Sequence, residues 1–398
     1  MFLISKLYKA ITMIRFLIYL FPAMMDMVVG AVFFVTAVRY SESGASSLTV
    51  TGVMATWAFI YSFCSLIAGR VVNHKNAAQI IMISGGAITL ISTGYIAVPA
   101  LGMQYLWTAL IGVATAFFFT PFQVFMKSLE HGEDGSVVRS TALYTFSWSF
   151  GMACGPFVCG YVWQNSGNWQ WCHVLNAVMG LSIVFGIWKL NKYTHQHHEA
   201  VAAAGKPSRT EDYSKMPDLA WLGWLAAGVG CITVAVVRSL FPVKAAFLEL
   251  SKTDQGVILA IVSFTQAFIG LAFIRSKFWM YKPLPVALFS LAGLLGLLLF
   301  GLGSKPETFY AAAFFYGIYS GMFFFYLVFH SLVHPTKSSK YVATNEAVVG
   351  ITTIIGPIAG GIIADKTNSS VPFYVAGILV LLVMAVQARV HYLKPVKS

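Results

Sequence analysis

Hydrophobic residues in this chain come in long unbroken runs instead of alternating with polar ones. Apolar stretches of about 20 residues, enough for a helix to cross the hydrocarbon core of a bilayer, can be marked near 14–38, 48–69, 77–101, 105–127, 139–164, 170–190, 218–243, 254–274, 284–303, 308–333, 340–364 and 371–391. An all-α integral membrane protein with twelve transmembrane helices is therefore predicted. Nothing has the short alternating pattern of a barrel strand. The longest break runs from Asn191 to Pro217 and divides the spans six and six. This predicts an N-terminal bundle over 1–190, a cytoplasmic linker over 191–217 and a C-terminal bundle over 218–398. The first span follows Lys6, Lys9 and Arg15, exceeds signal-peptide length and lacks a small-residue cleavage site, so it is expected to be retained.

Composition points the same way: 58% of residues are hydrophobic, only 10% are charged, and the mean hydropathy is +0.74. Too little polar surface exists to enclose a water-soluble globule of this size. With both termini placed in the cytoplasm, twenty of the 26 Lys and Arg residues fall on the inner side. Only Arg39, Arg238, Lys244, Lys252, Lys305 and Lys366 are left for the other. That asymmetry fixes the expected orientation in a cell (inner) membrane. It also accounts for the net charge of +12 without a nucleic-acid partner. The five cysteines, Cys64, Cys154, Cys159, Cys172 and Cys231, form no CxxC pair and read as small apolar fillers. His195, His197 and His198 in the linker lack the Cys or acidic neighbours of a metal site, so no metal is expected. No phosphate-binding loop or nucleotide motif appears, so neither a cofactor nor ATP drive is expected.

The two sets of spans repeat. Gly155, Pro156 and Gly160 in the fifth span match Gly356, Pro357 and Gly361 in the eleventh at an offset of 201 residues, and Gly69 matches Gly270 at the same offset. Gly52 pairs with Gly256, the run from Gly112 parallels that from Gly317, and Arg39 at the end of the first span pairs with Lys244 at the end of the seventh. Two six-helix halves repeated in parallel are the plan of transporters whose substrate site lies near the midplane, where the halves meet.

Twelve spans divided in this way, with a basic, glycine-led loop after the second and eighth, resemble the major facilitator superfamily. The resemblance extends over essentially the whole chain, although no branch is identified. The family's loop after the second helix usually reads Gly-x-x-x-Asp-Arg-x-Gly-Arg-Arg. Here it reads Gly69, Arg70, Val71, Val72, Asn73, His74, Lys75, Asn76, without the aspartate and arginine of the family's charge-relay gate. The run from Gly151 through Gly155, Pro156 and Cys159 to Gly160 resembles the antiporter motif of drug-exporting branches, with Cys159 replacing a glycine. The resemblance implies a secondary active transporter working by alternating access.

Polar residues inside the spans are the candidates for chemistry. Asp26 lies about a dozen residues into the first span, where a carboxylate must be neutralised or paired. Glu346 lies some two turns into the eleventh, beside Asn345. Its repeat counterpart is Thr145, so the acid is not imposed by the repeat. Arg238 stands about 9 Å deeper than Lys244. It can pair with either acid, grip an anionic group on a substrate, or snorkel to the outer headgroups. Asp26 and Glu346 are expected to titrate in coupling to protons or another ion, although Glu346 can instead pair structurally with Lys340. Arg238, Asn345, Gln123, Gln266, Tyr319, Trp57, Trp148 and His330 are expected to bind substrate. Asn176 and Tyr316 are further polar candidates, and each residue of this set has an ordinary interhelical role as its alternative. Gly69, Gly155, Pro156, Gly160, Gly270, Gly356, Pro357 and Gly361 are expected to pack or flex the helices at the seam.

The expected function is transport of a small organic solute, with a lean toward an anionic one, by a monomer embedded in the lipid bilayer and coupled to H+ or another ion. A drug-type antiporter exporting amphipathic compounds is the alternative motivated by the fifth-span motif. A receptor or scaffold that keeps the fold without transporting is motivated by the altered loop from Asn73 to Ala78.

Overall fold

Each long apolar run becomes one helix, because a backbone in lipid must satisfy its own hydrogen bonds. The computed structural model describes residues 17–129, 137–196, 217–273, 278–332 and 338–393. In these stretches twelve α-helices follow one another: α1 (Leu20–Glu42), α2 (Ser47–Val71), α3 (Ala77–Ala97), α4 (Leu101–Leu129), α5 (Val137–Ser166), α6 (Gln170–Gln196), α7 (Ala220–Phe247), α8 (Lys252–Ala272), α9 (Pro283–Leu302), α10 (Pro306–Leu332), α11 (Ser338–Lys366) and α12 (Val371–Leu393). Eleven are long and apolar enough to cross a membrane; the exception by composition is α5, which carries several polar residues. The described residues contain no strand.

Two boundaries differ from the sequence expectation. Helix α1 continues to Glu42, past the expected end at residue 38; the expected start near residue 14 lies outside the described residues. Helix α6 runs through His195 to Gln196, beyond the expected end at residue 190. A helix leaving the membrane keeps its hydrogen-bond ladder in water, so loss of hydropathy does not mark its end. Of the linker, His197 and His198 lie outside the described residues.

Two large buried clusters form the core, and the larger extends across the seam to Phe34, Val38 and Trp163. In the N-terminal half Met25, Val29, Ile81, Phe118 and Phe122 lie in one buried cluster, and in the C-terminal half Phe241, Phe300, Phe309, Tyr316 and Phe323 lie in another. The halves meet where α1 crosses α7, where α5 packs on α8, and where α2 packs on α11.

The repeat is visible in the contacts. A Cβ on Gly155 would stand 2.5 Å from the Ala31 nitrogen of α1, and one on Gly356 would stand 2.7 Å from the Ile232 oxygen of α7. At the offset of 205 that relates Arg39 to Lys244, Ile232 is the mate of Met27, whose oxygen also faces Gly155, so each first glycine joins helices within its own half. The last glycines join opposite halves: Gly160 lies against Lys252 and Gly256 of α8, and Gly361 against Leu48 and Thr51 of α2. Arg39 and Lys244 also act alike at their helix ends. Arg39 donates to the Pro99 carbonyl just past α3 (2.7 Å), and Lys244 donates to the Phe300 and Gly301 carbonyls at the end of α9 (2.8 and 2.5 Å). Both cations satisfy C-terminal carbonyls that have no helical partner.

Candidate functional site

The seam is tight at one end and bare at the other. On α2 the buried residues Val50, Thr51, Val53, Met54, Ala55 and Ala58 lie in the half that begins at Ser47, whereas from Phe59 to Val71 only Ala68 is buried. On α11 Gly356, Pro357, Gly360, Gly361 and Ala364 are buried, whereas nothing from Glu346 to Ile355 is. Lipid contact accounts for one face of such a helix but not for every face. The less buried halves of α2 and α11 lie at the end where α6 stops and α7 starts, and there Gly350 of α11 faces the Ser62 side chain of α2.

Asp26 of α1, Arg238 of α7 and Glu346 of α11 lie close enough at the seam to share electrostatic neighbours. Asp26 is buried at 6% exposure, while Glu346 is exposed on the bare half of α11. Both carboxylates act electrostatically on the phenols of Tyr61 on α2 and Tyr144 on α5, and Asp26 and Arg238 act on each other. Glu346 also reaches Cys231 on α7. Arg238 does not snorkel; it donates to the Ser263 hydroxyl of α8 at 3.2 Å. No hydrogen bond or ion pair reaches Asp26 or Glu346 among the described residues, so the Lys340 pairing of Glu346 is not formed. The arrangement gives two acids and one guanidinium, contributed by both halves.

Around these charges the polar candidates divide. Gln123 hydrogen-bonds Tyr144. The Trp57 ring stacks on Tyr61 at 4.8 Å, and Trp148 meets Phe324 of the other half edge-on at 5.2 Å. Gln266 bridges the seam: it donates to Ser149 of α5 at 2.7 Å and accepts from Ser320 of α10 at 2.6 Å. Tyr316 shares a 2.7 Å hydrogen bond with Thr233 and lies near enough to Arg238 to feel its charge.

Other candidates belong to packing within one half. The side-chain oxygen of Asn345 accepts from both Trp224 and Ser331 at 2.8 Å, so it ties α7, α10 and α11 together. Tyr319 is buried between Tyr316 and Phe323, with its ring pressed against Gly293 of α9. His330 sits among Tyr281, Tyr326 and Phe329, and Asn176 is buried in α6. Nothing stands within 4 Å of where a Cβ on Gly69 or Gly270 would be, so no neighbour requires glycine there in this conformation. Tyr61 and Tyr144 were not singled out in the sequence, where a tyrosine inside a span looks like any other aromatic filler. Their signal lay in the helices that carry them, since α2 and α5 both line the seam. Among the described residues no group of three or more His, Cys, Asp and Glu side chains is placed to hold a metal ion.

No curated protein matches the sequence. Among solved structures, the fold is similar to that of a bacterial homologue of the human lysosomal transporter Spinster, in an inward-facing and occupied conformation. The TM-score is 0.61 at 13% identity, with 97% of this chain and 96% of that one covered. The family model of the Major Facilitator Superfamily matches residues 10–334. That match takes in α1 through α10, and together with a fold of two repeated six-helix halves it establishes that this membrane transporter belongs to the Major Facilitator Superfamily.

Proposed function

We propose that the chain is a secondary active transporter that moves a small organic solute by alternating access, with proton or ion binding at Asp26 and Glu346 coupled to the movement. The observation that carries this reading is the proximity of Asp26, Arg238 and Glu346, from opposite halves, at the seam. An unpaired carboxylate in a low-dielectric site is costly when charged, and protonation or a bound cation relieves that cost. Because Asp26 acts on Arg238 across the two halves, a change in its charge alters the balance between states that bring them together and states that part them.

Arg238 supplies a planar donor for a carboxylate or similar anion on the solute. A solute anion bound at Arg238 offsets the positive charge that favours ionised Asp26, so the acid takes up a proton more readily, which links binding to protonation. Purified protein screened by thermal shift against organic acids, sugars, nucleosides and amphipathic drugs tests this. Organic acids are expected to raise the unfolding temperature, and Arg238→Gln is expected to abolish the rise. A shift given by uncharged solutes alone, or one that survives in Arg238→Gln, contradicts the assignment.

One observation favours the drug-type antiporter. The Trp57 and Tyr61 stack and the Trp148 and Phe324 pair bring aromatic surface to the seam, which suits amphipathic compounds. Cells lacking the gene then become sensitive to several unrelated hydrophobic compounds. Unchanged susceptibility across a broad panel removes this second reading.

A further inference from the structure

At the closed end of the seam each half holds the start of a helix belonging to the other. Four residues after Gly361 on α11, the Asp365 carboxylate accepts from the backbone N–H groups of Ser47 (2.6 Å) and Leu48 (3.0 Å), the first two residues of α2. Four residues after Gly160 on α5, the Gln164 side-chain oxygen accepts from the N–H of Lys252 (2.9 Å), the first residue of α8. Gln164 and Asp365 are repeat mates at the offset of 201.

The first N–H groups of a helix have no partner within it. On α2 the Ser46 hydroxyl takes the Thr49 N–H at 3.1 Å, and on α8 the Ser251 hydroxyl takes that of Asp254 at 3.0 Å. These caps leave the first donors of each helix open, and those are the donors that the opposite half fills.

We infer that Asp365 and Gln164 are a matched pair of latches that hold this end of the carrier shut, and that Asp365 is the stronger. A carboxylate taking two N–H groups at the positive end of a helix makes charge-assisted bonds, whereas the amide makes one neutral bond. On the Gln164 side an ion pair from Lys252 to Glu42 of α1 crosses the seam as well, and Lys252 lies 5.2 Å over the Trp163 ring. Both latches sit one turn beyond a glycine whose missing side chain lets the helices touch, so closing the end aligns donor and acceptor and opening it breaks both. Once the end is open, water takes over the freed donors and the carboxylate, which keeps the difference between the states small enough to be reversible.

This inference rests on the alternating-access reading, and amide hydrogen exchange on the purified full chain separates the two. Exchange is followed in the closed-end halves of α2 and α8 and in the bare halves of α2 and α11, for the wild type, Asp365→Asn, Asp365→Glu and Asp365→Asn with Gln164→Ala. Asp365→Asn is expected to speed exchange in the closed-end halves about tenfold. Asp365→Glu is expected to do so less, and the double variant more. No increase in the double variant, or an increase spread evenly over all helices, overturns the latch. If the bare halves become protected as the latched halves open, the halves rock about the site. If the latched halves open without that protection, the latch stands and alternating access falls.

Discussion

At the scale of single residues, the charged candidates were legible because hydrocarbon makes them so. A carboxylate or guanidinium within an apolar span has few explanations, and Asp26, Arg238 and Glu346 lie near one another at the seam. Neutral polar residues carry no such mark. Asn345 looked like a binding residue, yet its oxygen is committed to Trp224 and Ser331, while Tyr61 and Tyr144 lie beside both acids and looked like filler. Asn345→Ala is therefore expected to lower stability by about 1–3 kcal/mol, because two buried donors lose their acceptor. Thermal unfolding of the purified variant checks this, and a ligand-induced shift equal to that of the wild type separates packing from binding. At Gln266 the opposite outcome is expected. Gln266→Ala removes a bridge between the halves and is expected to change ligand affinity or transport rate along with stability, since Ser149 and Ser320 belong to different halves.

At the scale of helices, the number of elements and their pairing followed from run length and from the repeat. The contact each glycine makes did not. In the sequence Gly155, Gly160 and Gly69 all read as packing glycines. In the fold, Gly155 presses α5 onto α1 and Gly160 presses α5 onto α8, while Gly69 faces open space. Spacing along one helix cannot tell which neighbour lies across from it. The difference is measurable: Gly155→Ala is expected to cost about 1–3 kcal/mol through overpacking against backbone that cannot yield. Gly69→Ala is expected to stay within about 0.5 kcal/mol of the wild type. Comparable losses at both positions, measured by thermal unfolding, go against this assignment. The ends of α1 and α6 were misjudged for a related reason, since hydropathy marks the edge of the lipid and not the last hydrogen bond of a helix.

At the scale of the whole molecule, two repeated halves share a seam in which α2 and α11 are more buried at one end than at the other. Which end is the more buried was not legible in the sequence, because the composition of a span does not say how far its neighbour stands from it. The repeat, by contrast, was legible, and it gives the seam its two-fold logic: α5 on α8 mirrors α11 on α2. Glu346 breaks that symmetry, standing where the other half has Thr145, and the proposed coupling rests on it. The most direct test is flux in proteoliposomes of a compound selected by the thermal-shift screen, driven by an imposed pH gradient, for the wild type, Asp26→Asn and Glu346→Gln. The wild type is expected to accumulate the compound only while the gradient lasts, and each variant is expected to lose that accumulation while still exchanging solute for solute. Undiminished gradient-driven flux in both variants contradicts the account.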